Sequence, residues 1–194
     1  MERLSKKHVV TLATALAGVV ALAMPANAHT GHGASGLAAG LIHPIIGIDH
    51  LLAMVAVGVW SASQPLNRAW HGPLVFVILL AIGGFMGLSG LALPLVEPGI
   101  VLSVMVLGIM VLAAARLPVS LGLVLIGGFA LLHGHAHGSE ATGTLAAYMA
   151  GFLFASAGLH AAGYGAGRYL ASQRYGLAAS GLAISAAGLA LVGA

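Results

Sequence analysis

Residues 37–61 read LAAGLIHPIIGIDHLLAMVAVGVWS. The stretch is apolar and exceeds the roughly 20 residues needed to cross the hydrocarbon core of a bilayer. Yet it carries two imidazoles and a carboxylate, in the run His43-Pro44-Ile45-Ile46-Gly47-Ile48-Asp49-His50. Such groups are expensive inside a membrane, so they face the interior and mark a site or a pathway. At 3.6 residues per turn, positions seven apart return to nearly the same angle. His43 and His50 are therefore expected on one face, two turns apart, with Asp49 offset by about 100°. Pro44 removes a backbone donor, and Gly40 and Gly47 loosen the helix, so a local break is expected here. The competing reading is that Asp49 pairs with a histidine only to knit helices together.

The rest of the chain is as apolar. Of its 194 residues, 60% are hydrophobic and 6% charged, with a mean hydropathy of +1.05. A soluble domain carries roughly a quarter charged residues, so these few charges could not cover a soluble core. Six apolar stretches of membrane-spanning length run approximately over 37–61, 73–93, 99–115, 118–136, 143–165 and 175–193. The expected fold class is all-α, a polytopic membrane bundle of six transmembrane helices. Small residues at helix-face spacing, Gly83, Gly84 and Gly87, then Gly151, Ala155, Gly158 and Ala162, suit close helix packing. A homo-oligomer is equally compatible with this sequence. No cysteine is present, which excludes disulfides and thiolate ligands, and no basic patch exists for nucleic acid.

Residues 1–28 have the form of a cleavable signal peptide, with a retained first transmembrane helix as the alternative. Arg3, Lys6 and Lys7 precede an apolar run from Val9 to Met24, and Ala26-Asn27-Ala28 gives a small-x-small cleavage pattern. Residues 29–194 are expected to form a single six-helix transmembrane domain. Cleavage would leave His29 at the mature N-terminus, where its α-amine and imidazole chelate together with His32 nearby; a mobile tail with chance histidines is the alternative. After the leader the basic residues are Arg68, Arg116, Arg168 and Arg174, in the first, third and fifth links, whereas the second and fourth links carry Glu97 and Glu140. Positive residues stay on the cytoplasmic side. The expected location is the bacterial inner membrane, with the mature N-terminus on the extracytoplasmic side.

Ten histidines stand against seven Lys and Arg and four Asp and Glu. A second cluster, His133-Gly134-His135-Ala136-His137-Gly138-Ser139-Glu140, closes the fourth stretch. On a continued helix, His133, His137 and Glu140 share a face and His135 points elsewhere. An i,i+4 histidine pair with a carboxylate one turn on can chelate a borderline divalent cation. A surface histidine-rich loop is the alternative. The topology puts this cluster, His43, Asp49, His50, His29 and His32 toward one side of the membrane. The candidate metal set is thus His29, His32, His43, Asp49, His50, His133, His135, His137 and Glu140. Imidazole and carboxylate suit nickel, cobalt or zinc. His160 reads either as an exit-side ligand or as a helix–helix hydrogen-bond donor, and Trp60, Trp70 and His71 read as interfacial.

At its two motifs the chain resembles the HupE/UreJ family of nickel/cobalt permeases. The resemblance rests on His43-Pro44-x-x-Gly47-x-Asp49-His50, followed by Leu51-Leu52-Ala53, and on His133-Gly134-x-Ala136-His137-Gly138-x-Glu140. It implies secondary uptake of Ni2+ or Co2+, no prosthetic group, no enzymatic activity, and delivery of metal to cytoplasmic metalloenzyme assembly. An intramembrane zinc hydrolase and a non-transporting metal-binding accessory subunit are the rival readings. The topology has a direct test, because the chain lacks native cysteine. Single cysteines at Asn67 and Thr142 should react with an impermeant maleimide from opposite sides, Asn67→Cys only after the cytoplasmic face is opened. Labelling of both from one side would refute the alternation of links.

Overall fold

The computed structural model describes residues 36–114, 116–141 and 144–192, with Glu140 described by its backbone alone. The leader, His29 and His32 lie outside the described residues. Among the described residues the chain is all-helical, without strands. The helices are α1 (Leu37–Ile46), α2 (Ile48–Ala62), α3 (His71–Leu88), α4 (Val96–Ala113), α5 (Val119–Glu140), α6 (Leu145–Ala171) and α7 (Gly176–Leu191). Four of them, α3 to α6, are long and apolar enough to cross a membrane. The α1–α2 pair makes a fifth candidate if its two halves count as one span, and α7 is a shorter apolar helix of 16 residues.

The first expected span is broken, and its halves meet at 81°. The break falls at Gly47, whose ψ of 107° is extended, rather than at Pro44. Pro44 sits within α1, and the Gly47 N–H still donates to the His43 carbonyl at 3.1 Å. The helix restarts at once, with the Leu51 N–H donating to the Gly47 carbonyl at 2.8 Å. Proline weakens the ladder; glycine, with no Cβ, takes up the turn.

Backbones approach closely where glycines face each other. A Cβ on Gly134 of α5 would strike the Leu80 carbonyl of α3, and one on Gly138 would strike Gly84. Gly83 and Gly87 of α3 present the same bare surface to Leu131 and His135. The glycines of the second cluster therefore serve packing, and the segment is helical to Glu140 rather than a surface loop. Gly40 seats against Tyr148 and Phe152, and Gly58 against His160, locking α1 and α2 onto α6. These contacts rise in step along both chains, so α3 runs parallel to α5 and α2 to α6. By contrast α4 and α7 are antiparallel, Gly188 meeting Met105 where Gly181 meets Leu112.

The core runs along α2, where Ala53, Met54, Ala56, Val57 and Trp60 are fully buried with Phe76, Ile126 and Phe152. Trp60 thus departs from the interfacial expectation: its ring covers Gly122, in the bundle, whereas Trp70 is 55% exposed. Arg168 belongs to the last turn of α6 rather than to the following link.

Gly128 provides an internal control for Gly134, since a Cβ there meets no atom within 4 Å. Gly128→Ala should gain up to about 1 kcal/mol of helix propensity. Gly134→Ala should lose roughly 1–2 kcal/mol net, because overpacking at a backbone contact outweighs that gain. Thermal unfolding in detergent checks the opposite signs; equal shifts in Tm would refute this packing.

Candidate metal centre

The break at Gly47 rearranges the first motif. On a continuous helix His43 and His50 would stand about 10.5 Å apart along the axis. Folded back, their ring centroids are 5.7 Å apart. The His137 ring lies 4.5 Å from each of them, and His133 lies 4.9 Å from His50. Donor nitrogens of His43, His50 and His137 fall within 4.8 Å of one another. Divalent metals bind imidazole nitrogen at about 2.0–2.1 Å, so small ring rotations would bring these donors into one coordination sphere.

Three of the rings, His50, His133 and His137, are each held through one nitrogen, which decides what the other can do. His50 Nδ1–H donates to Asp49 Oδ1 at 2.6 Å, and the His50 backbone N–H donates to the same oxygen at 2.8 Å. His133 Nδ1–H donates to the Phe129 carbonyl at 2.9 Å. His137 Nδ1 faces the Tyr148 hydroxyl at 3.4 Å. In all three the Nε2 atom is buried with no hydrogen-bond partner among the described residues. A ring whose Nδ1 carries the proton presents a lone pair at Nε2. Metal-ligating histidines characteristically donate their other N–H to a carboxylate or a carbonyl, which fixes tautomer and orientation. His50 and His133 have that arrangement.

The expected residues thus separate. His43, His50 and His137 converge, with His133 one helical turn from His137. Asp49 is not among the converging donors; it engages His50 through the Nδ1–H. His135 is directed away, its Nε2–H donating to the Leu91 carbonyl at 2.6 Å and pinning the α3–α4 link. It lies on another face of α5 from His133 and His137. Glu140 closes α5, and its side chain lies outside the described residues, as do His29 and His32.

Three aromatic residues of the wall were not singled out from sequence. The Phe152 ring lies 4.0 Å from the His137 ring, tilted by 43°, Tyr148 lies 6.3 Å from His43, and Phe76 lies 5.8 Å from His133. A signal was present. Tyr148, Phe152, Ser156 and His160 recur every four residues on α6, and all are buried. Spacing of four puts them on one face.

Bundle and histidine cluster together make a multi-pass helical membrane protein in which three converging histidines could hold a metal ion. The comparisons give its family. The family described as HupE / UreJ protein matches residues 16–191. Protein HupE of Rhizobium leguminosarum bv. viciae is 45% identical over 185 residues, covering 91% of this chain and 93% of that protein. The chain belongs to the HupE/UreJ family. No solved structure matches it.

Co2+ titration of the detergent-solubilised protein, followed by its visible ligand-field absorption, separates the roles. His50→Ala and His137→Ala should abolish the signal. Asp49→Asn should weaken binding about 10–100-fold, the usual cost of losing such a supporting partner. His135→Ala should bind as the parent does. Equal affinity for Asp49→Asn and the parent would show that the carboxylate does not set the His50 ring.

Proposed function

We propose that the chain is a secondary permease that takes up a divalent transition metal, nickel or cobalt, across the bacterial inner membrane. The observation that carries this reading is the convergence of ring nitrogens of His50 of α2 and His137 of α5 with one of His43 of α1, deep in an apolar bundle. Imidazole donors without thiolates suit nickel, cobalt and zinc better than copper(I). Family membership favours nickel or cobalt over zinc, and transport over catalysis.

The broken pair and α7 complete six traverses. The helix directions support this count: parallel α3 and α5, parallel α2 and α6, and antiparallel α4 and α7 are what strict alternation requires. A leader cleaved after Ala28 puts His29 and His32 on the extracytoplasmic side, the side to which Gly47 and the end of α5 turn. The cation is captured there, passes to His43, His137 and His50, and is released inward for metalloenzyme assembly. Asp49 works through His50, holding its Nε2 lone pair toward the ion and supplying a negative charge beside it. The broken span is a device seen where discontinuous membrane helices bind ions. The chain carries no P-loop, so transport draws on no ATP hydrolysis of its own.

The purified protein alone in liposomes should accumulate Ni2+ or Co2+, read by an entrapped metal-sensitive dye. His50→Ala and His137→Ala should slow accumulation at least tenfold. Acidifying the outer medium should slow the parent, because protons compete with metal for the same lone pairs. Unchanged uptake by well-folded variants would remove the proposal, and absence of uptake by the parent would make it an accessory chain.

A further inference from the structure

One buried imidazole lies outside the cluster. His160 of α6 is 1% exposed. Its Nδ1–H donates to the Met54 carbonyl of α2 at 2.8 Å, and its Nε2 is buried with no hydrogen-bond partner among the described residues. That repeats the geometry of His133, proton on Nδ1 and lone pair on Nε2. The Nδ1 bond alone would make His160 a helix fastener. The orphaned Nε2 is what a fastener does not need, since a buried unsatisfied acceptor costs about 1–3 kcal/mol.

Its surroundings point inward. The Phe76 ring packs against both His133 and His160, with centroids 5.8 and 4.8 Å away. Beyond it, His160 lines a cavity of ≈ 660 Å³ with Leu66, Trp70, Pro73, Val77 and Tyr164. Leu66 and Trp70 belong to the link between α2 and α3, the link that carries Arg68. Tyr148, beside His137, and His160 are twelve residues apart on α6, about 18 Å along the axis. This is more than half of the roughly 30 Å hydrocarbon core. His160 thus stands further along the bundle than the cluster, with the Phe76 ring packed against both His133 and His160.

We infer that His160 Nε2 is a second, inner metal-coordination station, opening on this cavity and receiving the divalent cation from the His43–His50–His137 cluster on its way to the side of the α2–α3 link. The inference rests on the permease reading and deepens it. A station with one imidazole, its remaining ligands being water, binds weakly. Conduction needs that at the exit, because an ion must leave as readily as it enters.

The test has two arms. Crystals of the parent protein soaked in Co2+ should show anomalous density about 2.1 Å from His160 Nε2. In proteoliposomes, His160→Asn should cut Co2+ influx at least tenfold. Asn places an amide N–H where Nδ1–H was, so the bond to Met54 is kept and only the Nε2 lone pair is lost. Density at His160 together with the loss of influx supports the inner station. Density confined to His43, His50 and His137 overturns it and leaves the permease reading intact, as does full influx through His160→Asn. A parent that transports nothing would sink the permease reading, and density at His160 would then decide the site by itself.

Discussion

A neutral imidazole carries one N–H and one lone pair, and inside an apolar bundle neither is cheaply left alone. Every buried histidine discussed above resolves half of that problem within the protein. Asp49, Phe129 and Met54 supply oxygen acceptors for His50, His133 and His160. What remains is a set of ring nitrogens lacking partners among the described residues, Nε2 of His50, His133, His137 and His160 and Nδ1 of His135. Hydrogen bonds that fix the tautomer therefore also orient the other ring nitrogen, so the contacts that serve folding would also serve coordination. Asp49 shows the economy of the arrangement, as its Oδ1 accepts from both the ring and the backbone of His50.

The bundle that holds these rings is packed on glycine. Interlocked backbones of α3 and α5 position His133 and His137, and the contacts of Gly40 and Gly58 with α6 position His43 and His50. Without water to drive association, van der Waals contact between closely approaching backbones is the main source of packing free energy in a bilayer. The glycines flanking His133 and His137 belong to that contact surface, which explains why a glycine-bearing stretch forms a regular helix to its end.

Much was legible in the sequence. Hydropathy gave the all-helical membrane class, and the i,i+4 spacing on α5 gave a shared face for His133 and His137 and another for His135. Span limits were less legible. The second cluster lies inside α5, Arg168 lies inside α6, and Trp60 is core, because burial against neighbouring helices decides where a helix stops and which face is hidden. The wall of Phe76, Tyr148 and Phe152 escaped notice because aromatic residues in apolar spans carry no composition signal; only their register on α6 marks them.

The chain by itself determined which donors exist and on which helices they ride, since those follow from residue type and from a period of 3.6. It also determined that no thiolate takes part. Whether His43 and His50 meet was decided by the tertiary structure: on a straight helix they are two turns apart, and the 81° bend at Gly47 brings them within reach of His137. The role of Asp49 was decided there too. Adjacency in sequence could have made it a ligand or a fastener, and only the rotamer that places Oδ1 on His50 Nδ1 makes it the hydrogen-bond partner of a histidine in the cluster. Backbone period is a local property, whereas bend angle and rotamer are chosen by the helices packed against them.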